Sequence, residues 1–237
     1  MSAAGDLLLG ASCHGCGAPG WGLCPRCRAA LAGRHPYVTE PDPAPAGFPV
    51  TVTSSPYDDI LRAAISAHKE RSALGLTRFL AERLAISVQA LLSVTTGQSR
   101  TRAVILVPVP SATAAVRRRG FDATWALART AARRLAVVRP VTARRLLAQQ
   151  GGVADQAGLS AGQRAANLQG GFRLRTAGRG ELVVLVDDVV TTGASLSEAA
   201  RVLRAAGVEL LGAATVAATE LRRPSGRDRG RSGPEQD

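Results

Sequence analysis

Residues 182–207, LVVLVDDVVTTGASLSEAARVLRAAG, constrain the fold more than any other stretch of the 237-residue chain. The five apolar residues 182–186 predict a strand buried on both faces, the pattern of a parallel sheet covered by helices on each side. Two adjacent carboxylates, Asp187 and Asp188, follow, then Val189 and Val190, then a small hydroxyl-rich turn, Thr191-Thr192-Gly193-Ala194-Ser195. Leu196, Ala199, Ala200, Leu203 and Ala206 recur at helical spacing, and Gly207 stands where a helix C-terminal glycine belongs. The order is strand, acidic pair, turn, helix.

That order has a chemical meaning. A turn leading into a helix exposes backbone N–H groups that the helix cannot satisfy, at the positive end of its dipole. With the hydroxyls of Thr191, Thr192 and Ser195 these groups describe a phosphate site, and Gly193 lets the backbone approach a ligand without a Cβ in the way. Asp187 and Asp188 fall at the carboxyl end of the strand, where ligands bind in open α/β sheets. They suit the vicinal hydroxyls of a sugar or a hydrated Mg²⁺. A phosphate beside a diol describes a ribose 5-phosphate. The competing structural reading is a buried strand with a capped helix, since Ser195-x-x-Glu198 fits a capping box. It leaves the two adjacent acids unexplained.

A second pattern lies near the N-terminus. Cys13-His14-Gly15-Cys16 and Cys24-Pro25-Arg26-Cys27 are two C-x-x-C knuckles seven residues apart. Two such pairs complete a tetrahedral Cys₄ site of the kind that takes Zn²⁺, and four protein ligands make it structural rather than catalytic. A redox dithiol is the alternative, although that motif belongs within a βαβ unit. His14 reads as a neighbour of the ligands rather than one of them. Residues 36–49 hold five prolines and read as a linker between the knuckle and the main domain. The division that follows is a knuckle over 1–35, a linker over 36–49, an α/β domain over 50–221 and a disordered basic tail over 222–237.

Aromatic residues are only 3% of the chain, so its core must be Ala, Val and Leu. The net charge of +12 points to a polyanionic partner. Two facts weaken that inference: five arginines lie in the polar tail, and the aromatics that stack single-stranded bases are scarce. No stretch is long and apolar enough to span a membrane, and Asp6 with no basic residue before the first apolar run argues against a signal peptide. Cytoplasmic residence is the expectation, with cysteines that bind metal rather than pair as disulfides.

Short strands are expected at 50–53, 102–110, 137–146 and 208–219, and helices at about 57–68 and 74–92 and again from Trp125 to Leu135. Lys69 is the only lysine in a chain that otherwise writes every cation as arginine. It reads either as a compact charge retained for a pyrophosphate or metal–phosphate site, or as an ordinary surface residue. Arg117-Arg118-Arg119, beyond a strand end, offers guanidinium forks for phosphate or a solvated basic face. Residues 149–171 are polar and glycine-rich, and Gln156, Arg164 and Asn167 within them suit a lid.

These motifs together carry a resemblance. VVLVDDVVTTGAS resembles the phosphoribosyl pyrophosphate (PRPP) signature of the type I phosphoribosyltransferases. The Cys₄ knuckle, Tyr57-x-x-x-Leu61-Arg62 with Lys69 beyond it, Pro108-Val109-Pro110, Arg117-x-Arg119-Gly120-Phe121 and Gln156-to-Asn167 extend the resemblance to the ComF (competence protein F) family over residues 13–219. One departure is Asp122-Ala123, where that family commonly has Asn-Gln.

The resemblance implies a type I phosphoribosyltransferase-like parallel sheet flanked by helices, and a cytoplasmic link to DNA uptake in competence. As an enzyme, the chain would hold the PRPP 5-phosphate on Thr191, Thr192, Gly193, Ala194 and Ser195. Its ribose hydroxyls would lie on Asp187 and Asp188, with Mg²⁺ bridging diol and pyrophosphate, and Lys69, the turn after Pro110 (Ser111-Ala112-Thr113), Arg117 and Arg119 would neutralise the departing pyrophosphate. The alternative on the same fold is a non-catalytic adaptor of the uptake machinery that grips single-stranded DNA.

Overall fold

The computed structural model describes residues 12–71, 73–95, 102–150, 170–176 and 180–219. The segment bearing Gln156, Arg164 and Asn167 and the basic tail lie outside the described residues. Helix α1 (Pro25–Ala32) starts inside the second cysteine pair, with Cys24 at its N-cap and Cys27 in its first turn. After it come β1 (Tyr37–Thr39), β2 (Thr51–Thr53), α2 (Asp59–Glu70), a short 3₁₀ turn (Leu74–Leu76), α3 (Thr77–Thr95) and β3 (Val104–Pro108). The chain continues through α4 (Thr113–Arg119), α5 (Ala123–Leu135), β4 (Val141–Ala143), β5 (Leu147–Gln149), β6 (Phe172–Leu174), β7 (Leu182–Val190), α6 (Ala194–Ala205) and β8 (Leu210–Ala218).

Six strands form one sheet in the order β1-β2-β8-β7-β3-β4, and β5 and β6 form a separate antiparallel pair. All neighbours in the large sheet are parallel except β1, which pairs antiparallel with β2. The mostly parallel α/β sheet expected from the sequence is therefore present, with one antiparallel edge. That edge lies inside the proline-rich stretch read as a linker: Tyr37, Val38 and Thr39 pair with Thr53, Val52 and Thr51. Three residues are too few to show a period, and prolines are tolerated next to edge strands.

Strand β7 shows why its apolar run is continuous. Leu182, Val184 and Val186 face one core with α2, α3 and α5, whereas Val183 and Leu185 face a second core with α6, β5 and β6. Alternate side chains of a strand point to opposite faces, so a strand covered on both sides must be apolar at every position. The cores are Leu, Val and Ala, and Phe172 is the one aromatic buried in them among the described residues. Cys13, Leu23, Cys27 and Leu31 belong to the first core, so the cysteine knuckle packs onto the sheet assembly rather than standing apart.

From β3 the chain passes through α5 to β4 on one side, and from β7 through α6 to β8 on the other. The two connections diverge between β3 and β7. Such a switch point opens a crevice at the carboxyl ends of the strands, where α/β proteins bind ligands.

Candidate functional site

At that crevice lies an open cleft of about 530 Å³. Asp187, Asp188, Thr191 and Ser195 line it from β7 and α6, Lys69 and Glu70 from α2, and Ser111, Arg119 and Thr124 from the segment after β3. Six residues singled out in the sequence thus meet in one place although they are far apart along the chain. Arg117 does not join them; it is exposed and outside the cleft lining. Thr192, Gly193 and Ala194 belong to the same turn but not to the cleft lining, Thr192 being exposed and Gly193 buried.

The acids sit within β7, not beyond it, because the strand runs on to Val190. The strand pleat therefore separates them. Asp188 continues the series of Val184 and Val186 toward α2, and its Oδ2 lies 2.6 Å from Lys69 Nζ. Asp188 is 3% exposed and Lys69 34% exposed. Burial pulls the Lys69 ammonium down, but the Asp188 and Asp187 carboxylates outweigh it and hold Lys69 above its ordinary value. Asp187 accepts the Asp188 N–H at 2.8 Å. Burial, then the charge of Asp188, push the Asp187 carboxyl up to about 8. One lysine under-neutralises this pair of hard oxygen donors, a composition that fits a divalent cation such as Mg²⁺ or the hydroxyls of a sugar.

The turn behaves as its sequence suggests, with one correction. Gly193, at φ +73°, is the residue before α6 and brings no side chain to cap it. The first helical bond runs from Ser197 N to Gly193 O, which leaves the N–H groups of Ala194, Ser195 and Leu196 without partners inside the helix. The Ser195–Glu198 capping box does not form. Ser195 lies inside the helix, and Glu198 instead accepts the Gly170 N–H at 3.0 Å and pairs with Arg201.

Further contacts explain other motif residues. Phe121 meets the buried His68 ring edge-on at 5.4 Å, and His68 Nε2 lies 2.9 Å from Thr77 Oγ1. Burial holds His68 below its ordinary value. Arg119, 8% exposed, donates from Nε to Ala115 O at 2.9 Å and lies 3.7 Å from Glu70. Asp122 caps α5 through the Trp125 N–H and pairs with Arg145, so its carboxylate serves the helix start. Ser66, Glu70 and Thr124 are cleft residues that the sequence reading missed, whereas Tyr57 heads a motif it named and Ser111 lies in the turn after Pro110. The spacing Ser66-x-x-Lys69 put Ser66 on the helical face of Lys69 and was the available signal.

At the other site, the ligand atoms of Cys13, Cys16, Cys24 and Cys27 all lie within 4.8 Å of one another, a set that can hold a metal ion. Cys16 Sγ and Cys24 Sγ are 3.7 Å apart; zinc–sulfur bonds of about 2.3 Å in a tetrahedron give an edge of about 3.8 Å. Cys13 Sγ accepts the N–H groups of Gly15 and Cys24. Burial pushes the Cys13 thiol up, but these donors and Cys16 bring it down to about 6, whereas burial pushes Cys27 up.

The phosphoribosyl transferase domain family matches residues 115–234, just over half of the chain. The chain belongs to that family. Among solved structures it is similar to the hypoxanthine phosphoribosyltransferase of Staphylococcus aureus, at 12% identity over 60% of this chain and 62% of that one, with a TM-score of 0.34. The adenine phosphoribosyltransferase of Thermoanaerobacter pseudethanolicus is 14% identical over 65% of this chain and 74% of that one, TM-score 0.34. The orotate phosphoribosyltransferase of Aeropyrum pernix is 21% identical over 65% and 62%, TM-score 0.30. The chain thus spans less than two thirds of two of these three. No curated protein matches the chain.

Proposed function

We propose that the cleft binds PRPP, or another phosphorylated ribose, together with Mg²⁺, and that the protein is a ComF-type phosphoribosyltransferase. The observation that carries this is the convergence of Asp187, Asp188, Lys69, Arg119 and the turn 191–195 on one cleft at the switch point. The 5-phosphate takes the free N–H groups at the start of α6 with the hydroxyls of Thr191 and Ser195. Asp187 and Asp188 accept hydrogen bonds from the ribose diol, and the same carboxylates would hold Mg²⁺, which supplies charge neutralisation of the pyrophosphate. Arg119 and Lys69 lie on the side where the leaving group departs. Lys69 has to loosen its contact with Asp188 to reach it. As the bond from C1 to pyrophosphate breaks, positive charge grows on the ribose ring, and the nearby carboxylates stabilise it while an acceptor nucleophile takes its place.

The Cys₄ knuckle holds Zn²⁺ in this reading, as a structural ion. The cellular setting is the cytoplasmic side of DNA uptake, resting on the ComF resemblance. A second reading is a non-catalytic single-stranded-DNA adaptor. It draws on Trp125, which has Arg145 4.2 Å and Arg129 5.8 Å from its ring, a basic aromatic patch away from the cleft lining.

Calorimetric titration of PRPP with Mg²⁺ into the zinc-loaded protein decides between them. The proposal expects saturable binding that Asp187→Ala/Asp188→Ala abolishes. Folded protein that binds no PRPP, yet binds single-stranded DNA with a steep salt dependence, would make the adaptor the better account.

A further inference from the structure

The stretch 40–49 between β1 and β2 carries a role that its proline content hides. It crosses from the edge of the sheet to the start of α6 and is tied down at several points. Val50 O accepts the Ala213 N–H at 2.8 Å, Thr51 Oγ1 donates to Pro49 O at 2.8 Å, and Arg204 Nη1 donates to Gly47 O at 2.6 Å. Between these ties, Pro41 and Phe48 lie against the α-carbon of Gly193. A β-carbon there would fall 2.6 Å from Phe48 Cε2, and 2.8 Å from both Phe48 Cδ2 and Pro41 Cγ. Gly193 is therefore glycine for two reasons, its left-handed backbone and the rings packed on it.

We propose that Phe48, with Pro41, is a positioning residue that holds the turn 191–195 in its ligand-binding shape from outside the cleft lining. This rests on the reading of that turn as the phosphate site. The turn needs such a support, because no side chain caps α6 and Thr191 and Thr192 are exposed. Donors aimed at a phosphate bind well only when their geometry is set in advance, and a displacement of about 1 Å at a reacting group costs on the order of 100-fold in rate. Phe48 is not among the residues that line the cleft, and it acts through Gly193. The segment read as a linker is in this view a brace for the site.

The test compares full-length wild type, Phe48→Ala and Phe48→Leu in two measurements. In the ligand-free protein, amide hydrogen exchange across residues 191–196 should quicken about tenfold in Phe48→Ala, with β3 and the apolar half of β7 unchanged. In titrations with Mg²⁺, Phe48→Ala should weaken ribose 5-phosphate about tenfold but leave inorganic pyrophosphate within about twofold, since pyrophosphate uses the Lys69 and Arg119 end. Phe48→Leu, which keeps an apolar contact, should recover most of the loss. If Phe48→Ala does not fold, Pro41→Ala and Phe48→Leu carry the same comparison. Unchanged exchange and unchanged ribose 5-phosphate affinity overturn the inference, as does equal weakening of both ligands with exchange raised throughout the domain. Wild type that binds neither ligand overturns the proposed function, and the exchange measurement then separates that failure from failure of the Phe48–Gly193 contact.

Discussion

The cysteine knuckle and the cleft both gather groups that would repel one another if left alone, but they do so over different reaches of chain. Cys13 to Cys27 is one short stretch whose sulfurs converge through two tight turns and α1. The cleft draws on α2, the segment after β3, and β7 with α6, which only the folded sheet brings together. The first is closed by its own four thiols. The second stays open on one side and is short of positive charge, with a single lysine between two carboxylates. A closed set that one metal ion can satisfy serves stability, and an open, unbalanced one serves binding.

The largest expected effect breaks the knuckle. Cys27 is buried in the core shared with Leu31 and the sheet helices, so Cys27→Ser should abolish metal uptake by the knuckle and loosen that core as well. Structural zinc contributes on the order of 10 kcal/mol to small finger peptides, and even a fraction of that predicts a fall in Tm of about 10 °C or more. Metal analysis with calorimetry checks this; full metal loss without a change in Tm would mean that the knuckle is an appendage after all.

The cleft should respond in the opposite sense. A carboxyl held near 8 is mostly protonated at neutral pH and ionises in the folded state only at a cost, so Asp187→Asn should leave stability equal or higher while removing ligand binding. Because this value is raised above the ordinary 3.8, the folded form binds the extra proton over that window. Its stabilising contribution is full below about 4 and is lost as the pH rises through about 8. Ligand binding requires the charged form, so PRPP affinity should climb from pH 6 to pH 8 with proton release that buffers of different ionisation enthalpy reveal. A flat profile, or Asp187→Asn that destabilises, would contradict the assignment. The smallest contrast is between two neighbouring arginines. Arg119→Ala should weaken pyrophosphate about tenfold and Arg117→Ala less than about twofold, because only Arg119 faces the cleft.

The same contrast in reach explains what was legible in the sequence. The C-x-x-C pairs, the apolar strand, the acidic pair and the turn are local patterns, and each could be read by spacing. The length of β7 could not, since two aspartates argue against a strand by propensity and it is the neighbour β8, pairing Asp187 with Thr215 and Val189 with Ala217, that keeps them in one. The partner of Lys69 was hidden because Asp188 is far along the chain and reaches it only through the pleat of β7. Thr124 carried no signal, as small hydroxyl residues are common on any surface. Residues 36–49 were misjudged for a related reason: proline content reports on backbone freedom, not on what the rings of Pro41 and Phe48 touch.

The short outer strands of the large sheet have a consequence beyond the site. β1 and β4, three residues each, flank longer strands such as β7 and β8, and Pro140, which has no N–H to donate, leads into β4. A sheet that tapers in this way offers a passing chain little backbone to zip onto. Its rims are blunt where its middle is most adhesive, which guards a Val-rich, Leu-rich protein against growing edge to edge into aggregates.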